Sequence, residues 1–111
     1  MDFSGYQTAA ARTAFYPSEM GIAYLVIGLA GETGEVAEKV KKLIRDKGYP
    51  DSPVSAEDRD SLIKELGDIL WYMAMIAEEL DIDFDTVAET NIDKLRSRQD
   101  RDTLSGSGDD R

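Results

Sequence analysis

Hydrophobic residues recur along the chain at the three- and four-residue spacing of α-helices, in four separate segments. Pro17 is expected to end the first segment, because the residue before a proline avoids the helical conformation. Ser55, with Asp58 three residues later, resembles a capping box at the start of the third. The predicted helices cover residues 3–16, 19–47, 55–80 and 84–99. The pattern therefore predicts an all-α domain over residues 1–99.

The third predicted helix is apolar around most of its circumference. A helix that is hydrophobic on most sides is buried on most sides. One stripe contains Leu62, Leu66, Ile69, Met73, Ile76 and Leu80, and a second contains Ile63, Leu70, Ala74 and Ala77. Four helices of a single chain can hardly surround such a helix. We therefore expect a four-helix bundle that is completed by oligomerisation.

An acidic residue interrupts the hydrophobic stripe of the second helix. The stripe consists of Ile22, Leu25, Leu29, Val36, Val40 and Leu43. Glu32 stands where the spacing from Leu29 to Val36 requires another core residue. An unpaired carboxylate is strongly disfavoured in such a place. Glu32 is therefore expected to face a cation or several hydrogen-bond donors.

Carboxylates also form two pairs with the same spacing. Glu32 and Glu35 are three residues apart on the second helix, and Glu65 and Asp68 are three apart on the third. Positions i and i+3 share a helix face, so each pair presents two oxygen donors side by side. Two such pairs in apolar helices predict a metal site.

Glycines occur at three-residue intervals beside the first acid pair. Gly28, Gly31 and Gly34 each cost about 1 kcal/mol relative to alanine inside a helix. Close approach of another backbone, which would bring the two acid pairs within metal distance, is one explanation. The alternative is a helix break near residues 31–34.

The amino-acid composition limits the classes of partner that the protein can bind and where in the cell it is expected. The 111 residues include 23 acidic and 13 basic side chains, giving a net charge of −10. This balance argues against nucleic acid or an anionic membrane surface as a partner, because both reward basic patches. The sequence shows no signal peptide and no run long enough to cross a bilayer, so a cytoplasmic protein is expected.

The chain contains neither cysteine nor histidine. Zinc-thiolate sites, a cysteine nucleophile and the commonest transition-metal ligand are therefore excluded. Carboxylate oxygens without nitrogen or sulfur donors favour Mg²⁺, with Mn²⁺ as a possible substitute. Magnesium is commonly held by a few carboxylates together with substrate phosphates.

The fourth helix carries a polar edge formed by Asn91, Lys94 and Arg98. An amide, an ammonium and a guanidinium suit phosphate oxygens. Basic residues near a helix C-terminus also complement the helix dipole, which is the alternative explanation. Together with the acid pairs, the edge suggests a phosphate ester or anhydride bridged by a metal. Residues 100–111 are polar and are expected to form a flexible tail, either disordered or folded over a ligand.

These motifs resemble those of a known family. Glu32-x-x-Glu35 followed by Glu65-x-x-Asp68 resembles the ExxE…ExxD signature of the MazG-like all-α nucleoside triphosphate pyrophosphohydrolases. Residues 29–36, 64–72 and 91–98 are similar to family segments in the same order, and the resemblance covers about residues 3–99.

The resemblance implies hydrolysis of a (deoxy)nucleoside triphosphate between the α and β phosphates by a dimer or a dimer of dimers. It implies Mg²⁺ ligation by both acid pairs, Glu32, Glu35, Glu65 and Asp68. It implies phosphate contacts for Lys94 and Arg98, with Asn91 close by, and a position near the nucleotide for Tyr72. Trp71 either stacks on the base or lies in the core or an interface. For the general base, Glu35 is the first choice and Glu38 the second.

Two other function classes stay open at this point. One is a metal-dependent hydrolase of another nucleotide, such as phosphoribosyl-ATP or a nucleoside diphosphate, because an acid cluster alone does not distinguish these substrates. The other is a non-catalytic helical interaction module. Such a module would use the broad apolar helix but would not explain Glu32 or the repeated acid spacing.

Overall fold

A computed structural model describes all 111 residues as helices joined by turns, without a β-strand. The predicted all-α class is therefore confirmed. A single 3₁₀ turn, Ser18–Met20, precedes the second helix. The four α-helices are α1 (Phe3–Ala11), α2 (Ile22–Lys47), α3 (Ala56–Glu79) and α4 (Phe84–Asp100).

Helix α1 is shorter than predicted, because it ends at Ala11 and not near residue 16. The Thr13 hydroxyl donates to the Ala10 carbonyl oxygen at 2.7 Å and accepts from the Trp71 indole nitrogen at 2.8 Å. A threonine hydroxyl bonded to nearby backbone competes with helix continuation. Contact with α3 therefore ends α1 before the proline can do so.

Helix α2 runs without interruption through residues 31–34, so the helix break considered as an alternative is wrong. It begins at Ile22, later than predicted, because Gly21 has a φ of 57° that is incompatible with a right-handed helix. It ends at Lys47, and the next residue, Gly48, has a φ of 76° and forms a left-handed cap. The Ser55 cap of α3 is confirmed, since its hydroxyl accepts from the Asp58 backbone N–H at 3.1 Å.

Helices α2 and α3 form an antiparallel pair that positions the candidate site. Their contacts run in opposite order along the two helices, from Lys47 with Asp58 to Lys39 with Ser61. Helix α1 packs across α3, and α4 is attached to α1. The buried hydrophobic cluster consists of Ala10, Leu25, Ala74, Met75, Ala77 and Phe84.

Buried Gln7 fixes the turn between α3 and α4. Its side-chain amide donates to the Ile82 carbonyl oxygen and accepts from the Phe84 backbone N–H, both at 2.9 Å. These bonds satisfy a polar side chain inside the core. They also set the start of α4 relative to α1 and α3.

The single chain is open, not closed into a bundle. Its radius of gyration is 17.0 Å, against about 13 Å for a compact chain of this length. Helix α4 packs mainly against α1, and only α3 packs extensively against α2. Many large hydrophobic side chains consequently remain exposed, among them Ile27, Ile63, Leu66, Met73 and Leu80.

Candidate functional site

Three carboxylates meet on the facing surfaces of α2 and α3. Oxygen atoms of Glu32, Glu65 and Asp68 all lie within 4.8 Å of one another. Glu32 and Glu65 are half-buried, and Asp68 is exposed. Three of the four predicted metal ligands therefore converge in one chain.

Glu35 does not join this cluster. It lies one helical turn beyond Glu32 and is exposed. Its negative charge nevertheless contributes to the raised pKa of Glu32. Glu35 is therefore close to the cluster without being one of its converging members.

The electrostatics of the cluster favour a cation. The pKa of Glu32 is raised, first by burial and then by the charges of Asp68, Glu65 and Glu35. Like charges this close oppose full ionisation unless a counter-charge is present. The donor set consists only of carboxylate oxygens, which hard divalent cations such as Mg²⁺ accept. The residues therefore fit the type of metal expected from the sequence.

Tyr72 lies beside the cluster, and its ring accounts for the glycine at position 28, one of the three spaced glycines of α2. Its ring lies against Gly28, where an added Cβ atom would overlap the ring. The Tyr72 pKa is raised by burial and by nearby groups that include Glu32 and Asp68. Gly31 and Gly34 have nothing near the position of an added Cβ. The expected close approach of a backbone is therefore wrong at these two positions, and at Gly28 the approaching group is a ring.

Trp71 points toward α1. Its indole nitrogen donates to the Thr13 hydroxyl at 2.8 Å. Its ring meets those of Tyr16 and Tyr72 edge-on, with centroids 6.5 Å and 5.1 Å apart. The structure thus gives Trp71 a packing role at the α1–α3 junction.

Glu38 lies apart from the cluster. Its carboxylate pairs with Lys41 at 2.9 Å and with Lys42 at 3.8 Å, on the exposed side of α2. The hydrogen bond from Lys41 is the largest cause of its lowered pKa. A carboxylate with a lowered pKa is a weaker proton acceptor. The arrangement therefore makes Glu38 a poorer candidate base than Glu35.

A lysine that the sequence pattern did not distinguish from an ordinary solvated residue adjoins the cluster. Lys39 Nζ lies 3.4 Å from Glu65 Oε1 and 2.7 Å from the Ser61 hydroxyl. Lys39 and Ser61 line a cleft of about 280 Å³ between α2 and α3, which is also lined by Lys42 and Lys47. The sequence signal that could have identified Lys39 is its spacing, because it follows Glu32 by two helical turns and therefore lies on the same face of α2. A cation and a hydroxyl beside an acid cluster suit phosphate oxygens.

The polar edge of α4 does not reach the cluster within one chain. Asn91 is exposed, and its side chain makes no hydrogen bond. Lys94 Nζ contacts Asp109 Oδ1 at 3.2 Å, and Arg98 Nη2 contacts the same oxygen at 3.5 Å. Lys94 and Arg98 are therefore brought together, but by the C-terminal segment and not by the acids.

The C-terminal segment is folded against α4, whereas its polar composition predicted a flexible tail, either disordered or folded over a ligand. Arg98 donates to the backbone carbonyl oxygen of Asp109 at 2.5 Å. Arg111 donates to the Leu104 carbonyl oxygen at 2.8 Å. The polar composition of the segment gave no sign of these contacts, because they depend on carbonyl groups.

No helix in the structure combines the length and the apolar character that crossing a membrane requires.

Comparisons with known proteins agree with the motifs. A family model described as the MazG nucleotide pyrophosphohydrolase domain matches residues 21–102. A protein of Mycobacterium phage L5, named Gene 37 protein, is 48% identical over 112 residues, covering 96% of each chain. No solved structure matches this chain. The residues matched by the family model include both acid pairs and the cations of α4.

Proposed function

We propose, because this chain belongs to the MazG nucleotide pyrophosphohydrolase family, that it hydrolyses (deoxy)nucleoside triphosphates between the α and β phosphates. The products are a nucleoside monophosphate and pyrophosphate. The observation that carries this proposal is the convergence of Glu32, Glu65 and Asp68 on one face of the α2–α3 pair.

The three converging carboxylates are proposed to hold Mg²⁺, which Mn²⁺ can replace, with Glu35 as a further ligand or as the general base. A bound Mg²⁺ supplies charge neutralisation at phosphate oxygens and acidifies water. Glu35 is exposed and close enough to the cluster to influence Glu32, so it can accept a proton from an attacking water. Glu38 is the less favoured base, since its pairing with Lys41 and Lys42 lowers its pKa and makes it a weaker proton acceptor.

The substrate phosphates are proposed to lie beside the acid cluster in the cleft that Lys39 and Ser61 line. Lys39 is paired with Glu65 in the structure, and a cation held by Glu65 would weaken that pairing. The ammonium would then be available to phosphate oxygens as a point charge. Tyr72, next to the cluster, is proposed to contact the nucleotide. Base stacking by Trp71 stays a prediction.

Self-association as a dimer or tetramer is proposed to complete the bundle. Leu66 and Met73 on α3 and Leu80 at its C-terminal cap recur every seven residues and are 54%, 38% and 51% exposed. Hydrophobic residues repeated at this spacing are typical of a helix–helix seam. Such an assembly would also give Asn91, Lys94 and Arg98, which lie away from the acids of their own chain, a route to a shared substrate.

A product analysis tests the activity. Purified protein is incubated with each ribo- and deoxyribonucleoside triphosphate and Mg²⁺, and phosphorus products are identified by ³¹P NMR. Pyrophosphate and a monophosphate are expected, and addition of a chelator should stop their release. Orthophosphate as the only product, or no turnover with any nucleotide, would overturn the proposal.

The Glu65→Gln variant tests the site. Turnover should be abolished and Mg²⁺ should no longer raise the melting temperature, because a cluster ligand has lost its charge. Helical circular dichroism should be unchanged. Glu78→Gln is the matched control, since Glu78 is an exposed carboxylate on the same helix without a hydrogen bond or ion pair. Full activity in Glu65→Gln would contradict the assignment.

A further inference from the structure

The last nine residues, 103–111, contact Lys94 and Arg98, the two cations that the proposed assembly would bring to a shared substrate; this segment is called the strap. Asp109 Oδ1 lies 3.2 Å from Lys94 Nζ and 3.5 Å from Arg98 Nη2. The backbone of the strap adds carbonyl contacts to Arg98, from Asp109 at 2.5 Å and Gly108 at 3.4 Å. Arg98 is consequently only 5% exposed. A triphosphate cannot reach its guanidinium while the strap is docked.

The docked shape is held by contacts within the strap itself. Arg111 donates to three of its carbonyl oxygens, those of Thr103 at 3.2 Å, Leu104 at 2.8 Å and Gly108 at 2.7 Å. Gly106 and Gly108 have φ values of 117° and 85°, which residues with a side chain rarely adopt. The strap therefore has a defined conformation that the sequence encodes.

The strap leaves one hydrogen-bond donor of Arg98 without a partner. The Nε atom of Arg98 is buried and has no hydrogen-bond partner, although Nη2 has several. A buried donor without a partner is costly. The Nε and Nη2 groups together form the fork with which an arginine binds phosphate in a bidentate manner. A phosphate at this position could satisfy both groups, which Asp109 and the strap carbonyls do not.

The docked carboxylate is also easily displaced. The Asp109 side chain is 85% exposed, and ion pairs in such positions contribute little stability. A polyphosphate carries more negative charge than a single carboxylate and binds the same two cations. Displacement by substrate is therefore favoured over permanent docking.

We propose that the strap is an internal competitor of substrate phosphate, with the Asp109 carboxylate occupying Lys94 and Arg98 until a polyphosphate displaces it. This inference rests on the proposed function for the role of the two cations. The free protein would thus be partly self-inhibited, and the strap would leave α4 when substrate binds.

The first test compares two adjacent aspartates. Asp109→Asn removes the competing charge. Asp110→Asn changes net charge equally but at an exposed side chain that has no hydrogen bond or ion pair. Binding of inorganic pyrophosphate is measured by calorimetry without divalent metal. Asp109→Asn should bind about three- to tenfold more tightly than wild type, the range set by losing two ion pairs whose carboxylate is exposed, and Asp110→Asn should match wild type.

A second variant and a second measurement keep the test independent of one substitution. Arg111→Ala removes the three bonds that shape the strap and should also tighten pyrophosphate binding. The Thr103 backbone N–H donates to the Arg98 carbonyl oxygen at 2.7 Å, and its hydrogen exchange in wild type should accelerate when pyrophosphate is added. Exchange that is unchanged or slower would overturn the proposal.

The outcomes separate this inference from the proposed function. If triphosphates are not hydrolysed, the proposed activity fails, while pyrophosphate binding and exchange still decide the strap. Equal binding by the two asparagine variants would overturn the competitor role, and so would an absence of binding in every variant. Weaker binding by Asp109→Asn would also overturn it, because the strap would then belong to the binding surface. With active protein, the KM for triphosphate should fall in Asp109→Asn with little change in kcat.

Discussion

Glu32 is the residue whose sequence position most clearly signals a site. Its place in a hydrophobic stripe predicted a cation or several hydrogen-bond donors beside it, and the structure puts it next to Glu65 and Asp68, two carboxylates that would share such a cation. Burial and these neighbours raise its pKa above the ordinary 4.5. The site is thus electrostatically unfavourable for the metal-free protein, which is a common property of residues placed for function.

Glu32→Gln should make the metal-free protein more stable at pH 7. Because the folded-state pKa of Glu32 is raised, the folded protein keeps this proton over a pH range in which the unfolded chain has released it. Wild type therefore loses stability as pH rises through that range, and the glutamine variant does not. Thermal melts in chelator at pH 4 and pH 7 should show a difference in Tm that appears only at the higher pH.

Magnesium should reverse the order of the melting temperatures of wild type and Glu32→Gln. Added Mg²⁺ raises the Tm of wild type by binding only the folded state, and it should act little on Glu32→Gln, which lacks one charged oxygen donor. Melts with increasing Mg²⁺ measure this effect. An equal Mg²⁺ shift in both proteins would argue against Glu32 as a ligand.

At the scale of elements, the packing of α2 against α3 requires a glycine at only one of the three glycine positions of α2, residue 28. Gly28 accommodates the Tyr72 ring, which also meets the Trp71 ring edge-on at 5.1 Å between centroids. The ring is therefore packed against both helices of the pair. Gly31 and Gly34 face open space, so their cost to the helix is not offset by any contact within the chain.

Gly28→Ala and Gly31→Ala should change stability in opposite directions. The alanine methyl group at residue 28 overlaps the Tyr72 ring, and overpacking of this type costs about 1–3 kcal/mol. At residue 31 the same change meets nothing and should stabilise the helix by up to about 1 kcal/mol. Urea denaturation of both variants measures the difference. Equal stability of the two variants would show that the Tyr72 ring yields freely.

At the scale of the whole molecule, the open shape and the exposed apolar row on α3 belong together. A chain with a radius of gyration of 17.0 Å leaves its helices partly unpaired. Covering Leu66, Met73 and Leu80 removes apolar surface from water, which is the main driving force for association of this kind.

Leu66→Glu should dissociate the proposed oligomer. A charge in the middle of the row cannot be buried against a second helix without a partner. Light scattering after gel filtration, at several protein concentrations, should show monomers for this variant and a larger species for wild type. Lys64→Glu adds more negative charge at an exposed neighbouring position and should leave the oligomer intact. A monomeric wild type would refute the proposed assembly.

Much of the fold could be predicted because its signals are local. Helical periodicity and the Ser55 cap depend on residues close in sequence, and the predicted helices were correct apart from their ends. The end of α1 was missed because Thr13 is held by Trp71, which is 58 residues away. Local propensity has no access to such a contact.

The sequence by itself determined the helical class, the i, i+3 spacing of the acids and the conflict that Glu32 creates within a hydrophobic stripe. These follow from the geometry of a single helix. Only the tertiary structure decided that three acids converge, that Lys39 adjoins them and that Gly28 alone receives a ring. It also decided that Asp109 contacts both Lys94 and Arg98. Each of these depends on contacts between segments that are distant in sequence. The relative positions of such segments are set by tertiary packing, which no local sequence pattern specifies.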